Sequence, residues 1–387
     1  MRIPRWIYFY LIAFLTEGAM LCMMLAEPIY ALRHFHATPL QLGILGTAGG
    51  GSYALVALLA GWMSDRTDRR TWILYGAAVQ VAAGVLLPFC PNLTSFIVLA
   101  ALHTAMMGCF WAPLMGLFSE TTPHHLLSRR IGRWNISWSS GSVFGLLLSG
   151  YLYDHLSPVA PFLAGAAVMA GVTAVVASSR PHGRRIAREE HPPRHPRGRY
   201  FMHQAWLLLV SNFFVASLLL YIFPQMAQSP PFALSAEAIG QLHGLRQAVM
   251  MLTFALMGAT VHWHFRHLPL HACYGVIVLM MVVTALIRWE WAFVLPFAAF
   301  GVATGVAYGL SVYYSMLSPE ANGVAIGIHE MLLSLGGTIG PIFGGAMISL
   351  SGRTTMPFWA GIAPLALVWA AAVLYQRRKV PTLARQP

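Results

Sequence analysis

Long apolar segments recur along the whole chain, and they constrain its fold more than any other feature. A helix that crosses a membrane needs about 20 consecutive apolar residues. Segments of this kind lie at 6–32, 38–63, 70–90, 94–118, 131–153, 158–179, 203–226, 236–262, 268–288, 291–317, 323–350 and 355–376. Of all residues, 57% are hydrophobic and only 9% are charged. We therefore predict an all-α integral membrane protein with twelve transmembrane helices.

The positions of the basic residues predict the orientation of these helices. The net charge of +12 could indicate nucleic-acid binding, but nearly all of the 24 Lys and Arg residues lie in alternate connecting segments or in the termini. Arg33, Arg288 and Arg353 are the connecting residues on the opposite side, and Arg246 lies within a span. Basic residues accumulate on the cytoplasmic side of membrane proteins. We expect both termini in the cytoplasm, a bacterial inner (plasma) membrane as the location, and no nucleic-acid partner.

The longest polar stretch divides the chain into two halves. Residues 180–202 are rich in Arg, His and Pro and lie between the sixth and seventh spans. Such a composition is typical of a linker. We predict a six-helix bundle over 1–179, a cytoplasmic linker over 180–202, and a second six-helix bundle with a short basic tail over 203–387.

The two halves also share a sequence pattern. Residues 61–70 align with residues 258–267 at a displacement of 197 along the printed sequence. At a displacement of 195, three glycines of the fifth span align with three of the eleventh: Gly141, Gly145 and Gly150 with Gly336, Gly340 and Gly345. Two matches at nearly equal displacement indicate an internal duplication, and glycines at this spacing let helices approach closely.

The stretch GWMSDRTDRR, residues 61–70, places five charges between the second and third spans. It resembles the signature of the major facilitator superfamily, G-x-x-x-D-R-x-G-R-R, and the matching residues are Gly61, Asp65, Arg66, Arg69 and Arg70. Asp68 stands at the position of the second glycine, where we expect a left-handed turn that Asp tolerates. The twelve spans, the central linker and GGTIGPIFGG in the eleventh span extend the resemblance over nearly the whole chain.

The resemblance implies a secondary transporter in which two six-helix bundles rock about a central cavity lined by spans one, four, seven and ten. In the family, the aspartate of the loop braces the first half against the start of span eleven, here near Asn322. We expect Asp65, with Gly61, Arg66, Arg69 and Arg70, to form a conformational latch that favours the outward-open state.

Four ionisable residues lie deep within predicted spans, where each costs roughly 2.5 to 3.5 kcal/mol at a helix centre. They are Glu17, His103, Arg246 and Glu330. Either Glu17 or Glu330 is a candidate proton-coupling carboxylate, and Arg246 is its alternating partner or an anchor for an anionic substrate. The alternative is a set of fixed interhelical ion pairs, and His103 can equally be a core histidine.

Two further charges lie nearer to a membrane surface. We expect Glu27 and Arg33, close to the outer interface, to be solvated.

Aromatic, sulfur-containing and polar residues on the lining spans are candidates for the substrate cavity, with simple packing as the alternative for each. The candidates on these spans are Met20, Met24, Met107, Trp111, Asn212, Phe213, Tyr221 and Tyr308. His243 in span eight, one turn from Arg246, is a further candidate.

No pattern in the sequence indicates catalysis or a cofactor. Lys379 is the only lysine, so a P-loop is absent. HEMLL, residues 329–333, lacks the second histidine of a zinc-protease helix. His262, His264, His267 and His271 form a cluster that we interpret as a solvated loop end rather than a metal site. We predict neither an enzyme nor a metal site.

Two functions fit these observations. One is a proton-coupled transporter of a small organic solute, acting as a monomer in lipid; the other is a transporter-like receptor or scaffold. The direction of transport stays open because Leu146 replaces the proline that drug and proton antiporters of the superfamily carry in span five. Thr104 likewise stands in place of an arginine that is typical of many proton-coupled members.

Overall fold

The computed structural model of the protein describes residues 5–120, 122, 124–179, 197–316 and 322–383. At 5–6, 119–120, 124–129, 316, 322–327 and 380–383 it describes the backbone alone. Within these ranges the chain forms twelve long helices and no strands. They are α1 (Arg5–Phe35), α2 (Pro39–Ser64), α3 (Arg69–Leu86), α4 (Leu93–Glu120), α5 (His124–His155), α6 (Ala160–Ser178), α7 (Gly198–Ala227), α8 (Ala236–Ala259), α9 (His267–Leu286), α10 (Val294–Met316), α11 (Asn322–Ser351) and α12 (Met356–Leu383).

The twelve predicted spans each correspond to one of these helices, so the predicted fold class is confirmed. The largest differences are at helix ends, because α5 begins at His124 and α12 continues to Leu383. Polar residues extend a helix beyond its apolar part at little cost where they reach water. Residues 198–202 of the predicted linker are helical, and residues 180–196 lie outside the described residues.

Several helices begin at side chains that satisfy their first backbone N–H groups. Thr38 forms a capping box with Gln41 at the start of α2, and Ser235 accepts from the N–H of Ala238 at the start of α8. Asp68 caps α3 by accepting from the N–H of Arg70 at 3.2 Å. Its backbone is extended (φ −75°), so the left-handed turn expected at this position is wrong. A capping carboxylate replaces the conformational freedom of glycine here.

Ten helices in the described part of the chain are long and apolar enough to cross a membrane by length and composition. The two exceptions are α5 and α8, which are rich in Gly, Ser and polar residues. They pack extensively against each other, so protein covers part of their polar surface. This is the expected place for polar helices in a membrane bundle.

The duplication predicted from the glycines is confirmed by helix packing. Gly141 and Gly145 of α5 lie against the backbone of Phe14 and Gly18 on α1. Gly336 and Gly340 of α11 lie in the same way against the backbone of Val210 and Phe214 on α7. An added Cβ would collide with backbone at each of these four glycines. The two halves therefore use the same close helix contact, displaced by almost the same number of residues.

Two helix pairs carry most of the contact between the halves, α2 with α11 and α5 with α8. The linker side is the side that carries the loop 65–68 and residues 179 and 197, which flank the linker. The opposite side is called the far side. On the far side, Gly43 lies against the backbone of Pro341, and Gly240 against that of Leu146. Toward the middle, Thr47 donates to the carbonyl of Thr338 at 2.7 Å. The molecule is thus closed on its far side.

Candidate functional site

Glu17 lies near the middle of α1, twelve positions from the helix start at Arg5, which corresponds to about 18 Å. Its carboxylate accepts a hydrogen bond from Ser142 of α5 at 3.2 Å. Glu17 and Glu330 are close enough for their charges to repel each other. The structure therefore brings together two of the four charged residues singled out in the sequence.

Glu330 belongs to α11 in the second half, and its hydrogen bond comes from the first. The hydroxyl of Tyr53 on α2 donates to Glu330 at 3.1 Å. The side chain of Glu330 keeps 21% of its surface accessible although it lies far from both ends of α11. Its neighbour His329 is buried, and the His329 Nδ1 lies 2.7 Å from the Ser311 hydroxyl. Glu330 is therefore a carboxylate held across the boundary between the halves.

Aromatic rings from both halves surround this pair of carboxylates. Trp138 of α5 contacts Tyr308 of α10 with ring centroids 5.5 Å apart, and Phe254 of α8 at 5.8 Å. Tyr308 also contacts His329 at 4.9 Å. Tyr308 is close enough to both Glu17 and Glu330 to interact with their charges. The centre of the molecule is thus acidic and aromatic.

Sequence analysis missed Tyr53, Trp138, Ser142 and Phe254, because it assigned the cavity to spans one, four, seven and ten. These residues lie on α2, α5 and α8. A usable signal existed for the residues of α5 and α8, since these are the two of the twelve described helices that are not apolar enough to cross a membrane by composition.

His103 is paired with Glu27, which we expected to be solvated near the outer interface. The His103 Nδ1 lies 3.0 Å from Glu27 Oε1, and the side chains are 0% and 1% exposed. The expectation that Glu27 is solvated is therefore wrong. Counting residues from the end of α1 placed Glu27 near the interface, but Tyr221 of α7 lies close enough to act on its charge. Arg33 is partly exposed and pairs with Asp154 at 3.2 Å.

Arg246 is buried on α8 with 9% of its surface exposed. Its Nε has no hydrogen-bond partner, and no ion pair joins it to another described residue. His243, one turn earlier, is fully buried and lies close to the backbone of Leu219 on α7. In this conformation Arg246 is therefore a cation that forms no ion pair with a carboxylate of the described residues.

The other predicted cavity residues are distributed around this centre. Trp111 donates from its indole N–H to the sulfur of Met20 at 3.3 Å. Tyr221 lies in a π-helical turn, Leu218–Ile222, and packs against Gly46 of α2. Met107 and Asn212 are buried, whereas Met24 is half-buried. Asn212 Oδ1 is also without a partner among the described residues.

The charged loop is bonded within its own half. Asp65 pairs with Arg69 at 2.6 Å and is 61% exposed. Arg70 donates to the carbonyl of Val176 on α6 at 3.2 Å, and Arg66 lies 4.0 Å from the ring centroid of Trp62. A Cβ on Gly61 would meet Ala112 at an ordinary contact distance. The side chains at the start of α11 lie outside the described residues, so the contact expected for Asp65 there stays a prediction.

In the histidine cluster after α8, His262 is exposed as expected, whereas His264 and His271 are packed rather than solvated, which corrects our interpretation of these two. The His264 ring stacks on Tyr313 with centroids 4.3 Å apart, and burial lowers the pKa of His264 from its ordinary value. His271 accepts from the indole N–H of Trp369 at 3.1 Å. Within the described ranges no three His, Cys, Asp or Glu residues are grouped so that they could hold a metal ion.

Comparison with known proteins agrees with this architecture. The sequence profile of the Major Facilitator Superfamily matches residues 9–328. The quinolone resistance protein NorA of Staphylococcus aureus (strain MRSA252) is 21% identical over 370 residues, which is 93% of each chain. A bacterial homologue of the human lysosomal transporter Spinster, in an inward-facing and occupied conformation, superimposes with a TM-score of 0.76 at 14% identity and covers 97% and 98% of the two chains. The nucleoside transporter NupG gives a TM-score of 0.75 at 10% identity, covering 96% and 99%.

Proposed function

Because the chain belongs to the Major Facilitator Superfamily, a family of membrane transporters, we propose that it couples the movement of a small organic solute to the movement of protons. Membership makes it a multi-pass membrane protein and a transporter rather than an enzyme. The proposal of proton coupling is carried by two carboxylates, Glu17 from the first half and Glu330 from the second. Glu17 accepts a hydrogen bond from Ser142, and Glu330 accepts one from Tyr53.

A nearby pair of carboxylates responds strongly to protons. Two negative charges in an apolar surrounding repel each other, and one bound proton relieves this repulsion. Since Glu17 and Glu330 belong to different halves, that proton also changes the energy of keeping the halves together. Proton binding and rocking of the bundles are therefore linked through the same two side chains.

The position of Arg246 supports the proposal that the solute carries an acidic group. An unpaired guanidinium within a membrane protein has an unfavourable free energy, and an ion pair with a ligand carboxylate or phosphate would offset it. The aromatic rings of Trp138, Phe254 and Tyr308 would pack against the apolar part of the solute. The names of NorA and NupG point to quinolones and nucleosides respectively, so a first panel of solutes includes both classes beside simple organic acids.

We place the linker side and both termini in the cytoplasm of a bacterium, with the protein in the plasma membrane. The accumulation of basic residues on that side supports this orientation. The far side, where the halves are in contact, then faces outward. A solute would enter or leave this conformation from the cytoplasm.

The test uses the purified protein in liposomes that enclose a pH-sensitive dye. Solutes of the panel are added, and both solute flux and proton movement are followed. We expect a solute to move protons with the parent, and Glu17→Gln and Glu330→Gln to abolish that proton movement. Glu290→Gln, an exposed carboxylate in the 3-10 turn before α10, is the matched control and should behave as the parent.

Two outcomes would contradict the proposal. Solute flux that ignores the pH gradient would remove the proton from the mechanism. Solute binding without any flux would instead support a receptor or scaffold.

A further inference from the structure

The pair Glu27 and His103 lies outside the central cluster. Glu27 is ten residues beyond Glu17 on α1, which places it about 15 Å nearer to the far side. Both side chains belong to the first half, Glu27 on α1 and His103 on α4. Their contact of 3.0 Å joins a carboxylate oxygen to an imidazole nitrogen, so a proton lies between these two atoms.

The second half approaches this pair through one residue. Tyr221, in the π-helical turn of α7, is close enough to Glu27 to act on its charge. Its ring packs against Gly46 of α2, a contact that lies on the closed far side. His103 and Tyr221 are thus the titratable groups that act on Glu27, from α4 and α7. From α2, the contacts are made by Gly46 and Gly49, which have no side chain, against Tyr221 and Thr104 respectively.

The second ring nitrogen of His103 is an unused proton site. His103 Nε2 is buried and has no hydrogen-bond partner among the described residues. A fixed structural bridge needs only the Nδ1 contact with Glu27. An imidazole whose other nitrogen is vacant can accept a further proton once water reaches it.

We propose that Glu27 and His103 form a second proton-binding site, which opens to the far compartment when Tyr221 moves away with the second half. The inference rests on the transporter function proposed above, but it uses residues that the central cluster does not.

The direction of the effect follows from the charge of the pair. With one proton between them, a carboxylate and a neutral imidazole carry a net charge of −1, and with one proton more they are neutral overall. Burying a net charge is costly, whereas a neutral hydrogen-bonded pair is tolerated. Closure of Tyr221 over the pair therefore favours uptake of one proton from the far compartment. Opening of the far side permits its release.

The test measures far-side opening directly as a function of pH. Spin labels at Leu156 and Leu350, exposed residues near the far ends of α5 and α11, report the distance between the halves in lipid nanodiscs. The four free cysteines are replaced first.

His155→Gln and Glu17→Gln are included in every sample. His155 contacts a carboxylate of the other half, Glu237, on the same side. Protonation of the pair Glu17 and Glu330 is itself proposed above to change the energy of keeping the halves together.

In this background, the ratio of far-open to far-closed molecules should rise by up to about tenfold per pH unit while one proton is released. Glu27→Gln and His103→Gln should reduce that rise to less than about twofold over the same range. Glu290→Gln, which alters an exposed carboxylate outside both sites, should retain the rise. Because Glu17→Gln is already present in every sample, this rise is separate from any contribution of the central pair. An unchanged pH dependence in Glu27→Gln would overturn the proposal.

Two further measurements keep the proposal falsifiable if Glu27→Gln fails to fold. Tyr221→Ala leaves the pair intact and removes its cover, so water enters the closed state and the pH dependence should weaken. Full pH dependence in Tyr221→Ala would contradict the role of Tyr221. Infrared difference spectra of the parent between low and high pH should contain a carboxyl band that His103→Gln shifts, and an unshifted band would also overturn the proposal.

Discussion

The carboxylate of Asp154 accepts a hydrogen bond from the backbone N–H of Glu237 at 2.7 Å. The last turn of α5 in one half therefore caps the first turn of α8 in the other. Asp154 also binds Arg33 of its own half, and His155 contacts Glu237 at 2.8 Å. A carboxylate at a helix start is favourable because the free N–H groups there carry partial positive charge. These contacts hold the far side closed.

Asp154→Ala should shift the protein toward the far-open state. The lost cap corresponds to about 1 to 2 kcal/mol, or roughly a fivefold to thirtyfold change in the ratio of states. Spin-label distances between Leu156 and Leu350 measure this ratio. Arg33→Gln removes only the contact within the first half and should have a smaller effect. Equal effects of the two variants would show that the bond between the halves is unimportant.

Tyr53→Phe removes the hydrogen bond that crosses from α2 to Glu330. We expect the far-closed state to be weakened by about 1.5 to 3 kcal/mol, since the acceptor can be ionised. Proton movement driven by solute should slow in the same variant. The exposed Tyr75 on α3 offers a control, because Tyr75→Phe should leave both measurements at their parent values. A normal ratio of states in Tyr53→Phe would argue against coupling through this bond.

Gly43→Ala should open the far side by steric collision. A Cβ at this position would press against the carbonyl oxygen of Pro341, which is backbone and cannot rotate away. Overpacking of this kind costs about 1 to 3 kcal/mol. Gly171→Ala on α6, where a Cβ meets nothing within 4 Å, should leave the ratio of states unchanged. A far side that stays closed in Gly43→Ala would mean that the α2 to α11 contact can relax.

Asp65→Asn tests the latch expected on the linker side. Asp65 binds Arg69 in the present state, and its exposure leaves it free to meet the start of α11 in another. Loss of its charge should favour the far-closed state. Labelling of single cysteines on the two sides measures the change, with Arg66→Gln as a variant of the same loop. An unchanged ratio of labelling on the two sides in Asp65→Asn would remove Asp65 from the latch.

Arg246→Gln should selectively weaken binding of acidic solutes. A charge-assisted hydrogen bond contributes about 1.5 to 3 kcal/mol, so the dissociation constant should rise roughly tenfold to hundredfold. Arg246→Lys keeps the charge and should lose less. Calorimetry with matched acidic and neutral solutes provides the measurement. If neutral solutes lose as much affinity as acidic ones, Arg246 supports the cavity without binding the acid.

The helices could be predicted from sequence, because apolar length is a local pattern, and it gave all twelve spans. The repeated glycines predicted close helix contacts, and the structure shows that Gly141 makes one with α1 and Gly336 one with α7. Partners across the fold could not be predicted. Glu27 and His103 are 76 residues apart, and their contact depends on how α1 and α4 rotate about their axes. Depth along a helix does not specify which face is covered.

The lining of the centre shows the same limit. Trp138 and Phe254 are brought together by the packing of α5 on α8, which hydropathy does not encode. Of the residues predicted from spans one, four, seven and ten, Tyr308 lies close to Glu17 and Glu330, and Trp111 contacts Met20. Tyr53 and Ser142, which donate to these two carboxylates, belong to helices outside that set.

The surface that α2 presents to α11 has a thermodynamic consequence. Gly43, Gly46 and Gly50 face α11, so at these three positions α2 contributes backbone and no side chain to the contact. Apolar burial contributes about 25 cal/mol per Å² of side-chain area, and glycine has none to expose. Separating these helices therefore exposes less apolar surface to water than larger side chains at these positions would. The closed and open forms can lie within a few kilocalories of each other, as a reversible cycle demands.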